Sequence, residues 1–162
     1  MRTHEKKTLV SILTGSPNDL PTVEKAKSIL DELDIPSEIR VLSAHRTPDL
    51  LQEYLRQSEK SGIEVYIACA GLANHLAGTV AAHTLAPVIG VPLNAGGLGG
   101  LDALLSTVQM PPGVPVATVS VDGTKNAAYL AARILGVSRP EIRHRLEDAL
   151  ERQRDSYRQR QD

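Results

Sequence analysis

An α/β sandwich built on a parallel sheet is the fold this sequence predicts, and three observations carry that prediction. Five short runs rich in Val and Ile alternate with segments of helical periodicity along the 162-residue chain. The runs lack the strict alternation of a half-exposed strand, which marks strands covered by helices on both faces. There is also no Phe and no Trp, so the core must be filled by Val, Ile, Leu and Ala, the side chains that suit a buried parallel sheet.

The strands are expected at residues 8–14, 39–43, 64–70, 87–92 and 115–121. Between the first two, Val23, Ala26, Ile29, Leu30 and Leu33 form one apolar helical stripe, stopped by Asp34-Ile35-Pro36. Leu50, Leu51, Tyr54 and Leu55 repeat the pattern in a second helix that ends at Ser61-Gly62. A third helix is expected over about 73–84, a fourth over 101–108 and a fifth over 126–135 with Gly136 as its C-cap. Beyond Pro140, Ile142, Leu146, Ala149, Leu150 and Tyr157 make a sparse stripe on a highly charged helix, which either packs along a neighbour or frays. Right-handed crossovers then give a three-layer sandwich. With five strands the expected order is the flavodoxin-like 2-1-3-4-5. The reading is one domain over 1–162, a core of about 8–136 with a C-terminal helical tail over 138–160.

Eighteen basic side chains against nineteen acidic ones leave a formal charge of −1. That balance gives no electrostatic footprint for nucleic acid or a membrane surface. The N-terminal MRTHEKKTLV is too polar for a signal peptide, and no later run approaches a membrane span, so a cytoplasmic protein is expected. The lone Cys69 excludes an intrachain disulfide framework, fits a reducing compartment and reads as a small core residue. His4 and His144 read as solvent-facing and His83 as lying near a helix end. No histidine pair has metal-ligand spacing with Cys or Glu nearby, so no metal site is expected.

Open parallel sheets bind ligands beyond the carboxyl ends of their strands, where strand order reverses. In the expected order that point gathers three loops: Gly15-Ser16-Pro17-Asn18-Asp19, Ser43-Ala44-His45-Arg46-Thr47-Pro48, and Ala70-Gly71-Leu72-Ala73-Asn74-His75, which runs on into Leu76. The first has the small and capping residues of an anion site, although alone it also fits a plain N-cap; Asp19 suits ribose hydroxyls better than phosphate. In the second, His45 can give and take a proton near neutral pH, and the Arg46 fork matches phosphate. His75 could orient substrate, or simply stand near a helix N-terminus. After the fourth strand, the four glycines of residues 94–100 permit a mobile flap or close backbone approach; a flexible turn explains them as well.

On these residues the sequence resembles the N5-carboxyaminoimidazole ribonucleotide mutase family. The likeness runs from about residue 9 to 136. It is strongest in SAHRTP at 43–48, LDALLSTVQMPPGVPVATV at 101–119 and NAAYLAARIL at 126–135. The resemblance implies a flavodoxin-like fold and a homo-octamer with sites between subunits. It implies that His45 is the general acid/base and that Ser16, Asp19 and Arg46 bind the ribonucleotide; Gly15, Asn18, Ser43, Ala44, Gly71, Asn74, His75 and Leu76 of the same loops are expected to complete the substrate site. It further implies that a carbamate loses carbon dioxide in a closed pocket and the gas is recaptured at ring carbon 4, without metal or organic cofactor. The chain departs from the family pattern at Asn18, Asn74 and Ala77. Asn74 is the residue found in related carboxylases that take free carbon dioxide and aminoimidazole ribonucleotide. A non-catalytic flavodoxin-like nucleotide-binding module would explain the fold and first loop but not His45-Arg46. A flavin site would lack the usual Trp or Tyr to stack on.

Overall fold

The computed structural model describes residues 7–159. It contains strands β1 (Val10–Thr14), β2 (Ser37–Val41), β3 (Val65–Gly71), β4 (Val88–Leu93) and β5 (Ala117–Thr118). The helices are α1 (Leu20–Glu32), α2 (Pro48–Ser61), α3 (Leu76–His83), α4 (Leu101–Val108), α5 (Thr124–Gly136) and α6 (Pro140–Arg158), with one 3₁₀ turn at Pro17–Asp19. All strand pairs are parallel, in the order β2-β1-β3-β4-β5. This is the flavodoxin-like doubly wound sheet, with its reversal point between β1 and β3.

Alternate residues of β1 serve opposite faces, because successive side chains in a strand point to opposite sides. Val10 and Ile12 join Val65, Ile67, Ile89 and Val91 against α1, α5 and the start of α6. Leu13, with Tyr66 and Ala68, packs against Leu51 and Leu55 of α2 and Leu76, Ala77 and Val80 of α3. Two partners settle hydroxyls in this aromatic-poor core: Tyr66 shares a 2.6 Å hydrogen bond with buried Ser58, and Tyr54 one of 2.5 Å with Ser11. Cys69 is fully buried among the apolar side chains, and that burial pushes its thiol far above its ordinary value. The folded chain should therefore resist iodoacetamide, which requires thiolate. Mass spectrometry showing rapid native-state alkylation would contradict this packing.

Several element boundaries differ from expectation. β2 begins two residues earlier and is an edge strand, half-buried to exposed, since nothing pairs with its outer side. β5 shrinks from seven expected residues to Ala117–Thr118, because only Ile89 and Gly90 of β4 lie opposite it. α3 starts at Leu76 rather than near 73, the preceding residues being used in a turn in which Leu72 adopts φ 56. Gly136 is not a left-handed cap: it is buried in the last turn of α5, and Val137 caps the helix in ordinary helical geometry. Gly62 does terminate α2 in the expected way, at φ 106, a conformation costly for other residues.

Of the two outcomes the sequence allowed, the C-terminal helix packs along a neighbour and stays helical to Arg158. Ile142 and Leu146 bury against the α1/α5 layer, and Arg145 pins that turn by donating to the Leu33 carbonyl at 3.1 Å and pairing with Asp34. Its last turns, including Tyr157, are exposed.

Candidate active site

Each of three strands delivers one loop to the reversal point, and local chemistry shapes each loop. After β1, Ser16 is extended and its Oγ accepts from the Asn18 N–H at 3.2 Å, opening the 3₁₀ turn with Pro17 at its first position. That turn places Asp19 at the head of α1, where its carboxylate accepts from buried Thr14 Oγ1 at 3.4 Å.

After β2 the chain turns tightly back on itself. The Ser43 N–H donates to Thr47 Oγ1 at 3.0 Å, the Thr47 N–H returns to the Ser43 carbonyl at 3.0 Å, and the Arg46 N–H donates to Ser43 Oγ at 3.1 Å. This clasp holds His45 and Arg46 at the tip, both exposed. The Arg46 guanidinium reaches across to donate to the Gly15 carbonyl, so it already bridges the first and second loops.

After β3, Gly71 allows the closest approach in the site. A Cβ there would stand 2.5 Å from Ala95 Cβ and 3.2 Å from the Leu93 carbonyl oxygen, so a side chain would force β3 and the 94–100 loop apart. Leu72 follows in a left-handed conformation, half exposed; such strain in a bulky residue is concentrated at functional positions. His75 then precedes α3 and its Nδ1 lies 2.8 Å from His45 Nε2, the rings meeting edge-on at 85°. One nitrogen donates and the other accepts, so the contact couples the tautomers of the two rings.

These loops enclose a cavity of about 570 Å³, within the range of small-molecule sites. Gly15, Ser16, Asn18, Asp19, Ser43, Ala44, His45, Arg46, Gly71 and Leu76 line it, as expected from sequence, together with Ala70, Leu72, Ala73 and Ala95. Ala70, Leu72, Ala73 and Ala95 were missed because an apolar side chain in a loop gives no local signal of lining a ligand site. The 94–100 loop, read ambiguously from its glycines, is tied down at its start: the Asn94 N–H donates to Asp122 Oδ1 at 3.0 Å. His75 reaches the site through His45 rather than by lining the cavity.

Asn74 requires a correction. Its side chain is fully buried and points away from the cavity, donating to Thr107 Oγ1 at 2.8 Å. The donor end of the amide is satisfied there because α4 presents the Thr107 hydroxyl beneath the loop. The remaining histidines are accounted for differently. His83 is tethered between the Thr79 carbonyl and Gln52, His144 is exposed 3.7 Å from Asp148, and His4 lies outside the described residues. A larger hollow of about 890 Å³, lined by Glu59, His83, Leu85 and Pro115 among others, opens at the other end of the sheet, where β4 and β5 begin. Volume alone does not make it the site, since ligands of open parallel sheets bind at the strands' carboxyl ends.

Burial raises the Asp19 carboxyl above its ordinary value; Thr14 and Arg46 pull it back, and Asp122 adds to the rise. A carboxyl raised in the folded state favours folding below its ordinary value of 3.8, and that contribution is lost as pH climbs through the raised value. Asp19→Asn, which cannot ionise, is therefore expected to melt higher than the unsubstituted protein at neutral pH. The gap should narrow as pH falls to about 4. Calorimetry showing an equal gap at both pH values would refute this account of Asp19.

Fold and site together define a doubly wound α/β protein with a small-molecule cavity at its reversal point, an arginine bridging two loops and an imidazole pair at the rim. The AIR carboxylase family model matches residues 9–156, and the chain belongs to that family. Similar curated proteins include the N5-carboxyaminoimidazole ribonucleotide mutase of Pyrococcus horikoshii, 55% identical over 141 residues, 87% of this chain and 80% of that protein. The mutase of Thermotoga maritima is 53% identical over 143 residues, 88% of this chain and 84% of its own. The crystal structure of Treponema denticola PurE superposes with a TM-score of 0.86 at 33% identity, covering 93% of this chain and 94% of that one.

Proposed function

We propose that the protein interconverts N5-carboxyaminoimidazole ribonucleotide and 4-carboxy-5-aminoimidazole ribonucleotide in purine biosynthesis, with His45 as general acid/base. The observation that carries this reading is the His45–His75 pair, 2.8 Å apart, at the rim of a cavity whose other polar groups are suited to a ribonucleotide. Arg46 takes the phosphate with its fork. Ser16 and Asp19 hold the polar end of the ligand, and Asn18, Ser43, Ala44, Gly71 and Leu76 shape the walls.

The chemistry needs one mobile proton. Protonated His45 gives its proton to the exocyclic nitrogen as the carbamate N–C bond breaks, releasing carbon dioxide and the free amine. The electron-rich ring carbon 4 then attacks the gas, forming the new C–C bond. Neutral His45 removes the proton from carbon 4, restoring the aromatic ring and its own charge. No net proton is gained or lost. The pocket contributes by keeping gas and ring in contact, since escape to solvent would waste the carboxyl.

The decisive experiment supplies substrate with a labelled carboxyl in excess unlabelled bicarbonate. A mutase returns product that retains the label, because recapture outruns exchange. Product label that equilibrates with the medium would instead identify a carboxylase using free carbon dioxide and aminoimidazole ribonucleotide.

The proposed working form is a homo-octamer in the cytoplasm. Leu101, Leu105 and Val108 form an exposed apolar stripe along α4, with Leu98 just before it, and another copy of the chain would cover them. Light scattering should give a mass several times the 17.4 kDa of one chain. A monomer at micromolar concentration would end this part of the proposal.

A further inference from the structure

We propose that Asn74 is a positioning residue for His45, acting through His75 and not on the substrate; the inference rests on His45 being the proton carrier. Residue 74 is held twice by α4. Its backbone N–H donates to Ser106 Oγ at 2.9 Å and its side-chain amide to Thr107 Oγ1 at 2.8 Å. The same amide nitrogen lies 3.4 Å from the Val91 carbonyl of β4. Both hydroxyls are themselves fixed, Ser106 donating to the Asp102 carbonyl at 2.8 Å and Thr107 to that of Ala103 at 2.6 Å.

The Asn74 side chain and Thr107 are buried, and there a hydrogen bond is strong and a missing partner expensive. The next residue along the chain is His75, which is exposed and has little packing of its own. Its ring therefore takes its position from the backbone on which it stands, one peptide bond from the clamped residue. That ring in turn holds His45 Nε2. A continuous mechanical line thus runs from α4 through Asn74 and His75 to His45. The Oδ1 of Asn74 is buried without a partner among the described residues, so the amide works through its donor end alone.

The test uses the full-length protein, with Asn74→Ala and the double variant Asn74→Ala/Thr107→Val. Three readouts are needed: kcat and KM separately, the melting temperature, and the imidazole ¹⁵N signals of His45 and His75. For Asn74→Ala, kcat should fall roughly tenfold, the size of loss seen when a supporting hydrogen bond is removed. KM should stay within about twofold, because substrate contacts are untouched. The ring signals should shift as the pair loosens. The double variant leaves no hydroxyl orphaned, so it should recover stability without recovering kcat.

A kcat for Asn74→Ala within about twofold of wild type would overturn the proposal. So would unchanged ring signals, or a kcat that returns together with stability in the double variant, which would make the amide a packing residue only. The ring signals do not depend on turnover. If the unsubstituted protein shows neither mutase nor carboxylase activity, the functional reading fails, while the spectra still report whether Asn74 sets the histidine pair.

Discussion

His45→Asn is expected to lower turnover by roughly 10²–10⁴-fold, the contribution of a well-placed acid/base group. The side chain keeps similar polarity, but it cannot titrate and its amide falls short of the Nε2 position that meets His75. Because His45 is exposed at a loop tip held by the Ser43–Thr47 clasp, the melting temperature should stay close to that of the unsubstituted protein. Substrate affinity should change little, since the loss falls on the proton-transfer steps. Steady-state kinetics with equilibrium binding on the same preparation checks all three points. Activity within tenfold of wild type would remove His45 from the mechanism and leave the imidazole pair without an assigned task.

Arg46→Lys should weaken binding of a phosphate-bearing ligand by roughly 10- to 150-fold, the equivalent of losing a charge-assisted hydrogen bond worth about 1.5–3 kcal/mol. The structure adds a second reason. The guanidinium donates to the Gly15 carbonyl and, at 3.4 Å, to Ser43 Oγ, so one fork ties both loops. A lysine ammonium is a point donor that cannot reproduce this geometry. The nucleoside lacking phosphate should bind the variant and the unsubstituted protein much more nearly alike. If ribonucleotide and nucleoside lose affinity equally, Arg46 acts on loop order and not on the phosphate.

What the sequence by itself determined is the part encoded in neighbouring residues. The apolar stripe of Val23, Ala26, Ile29 and Leu30 specified α1, because a helix buries one face at a fixed period. The Val- and Ile-rich runs specified the central strands β1, β3 and β4, and their alternation with helices specified parallel pairing; the order followed as the common five-stranded arrangement, which the sheet adopts. Once that order stood, the meeting of three particular loops followed, and with it most of the cavity wall. The ends of the sheet were less legible: β2 and β5 have one pairing partner each, and what limits an edge strand is the extent of its neighbour.

Only the tertiary structure decided where individual loop side chains point. His45 and His75 are thirty residues apart, and nothing local to either indicates that Nε2 of one meets Nδ1 of the other. Asn74 looked like a site residue because it stands in a site loop. It turns inward because Thr107, thirty-three residues on, offers a buried hydroxyl there. The close fit of Gly71 against Ala95 likewise depends on β4 arriving alongside β3. Loop backbones obey no repeating pattern, so the direction of each side chain is set by whichever distant partner satisfies its hydrogen bonds or fills its space.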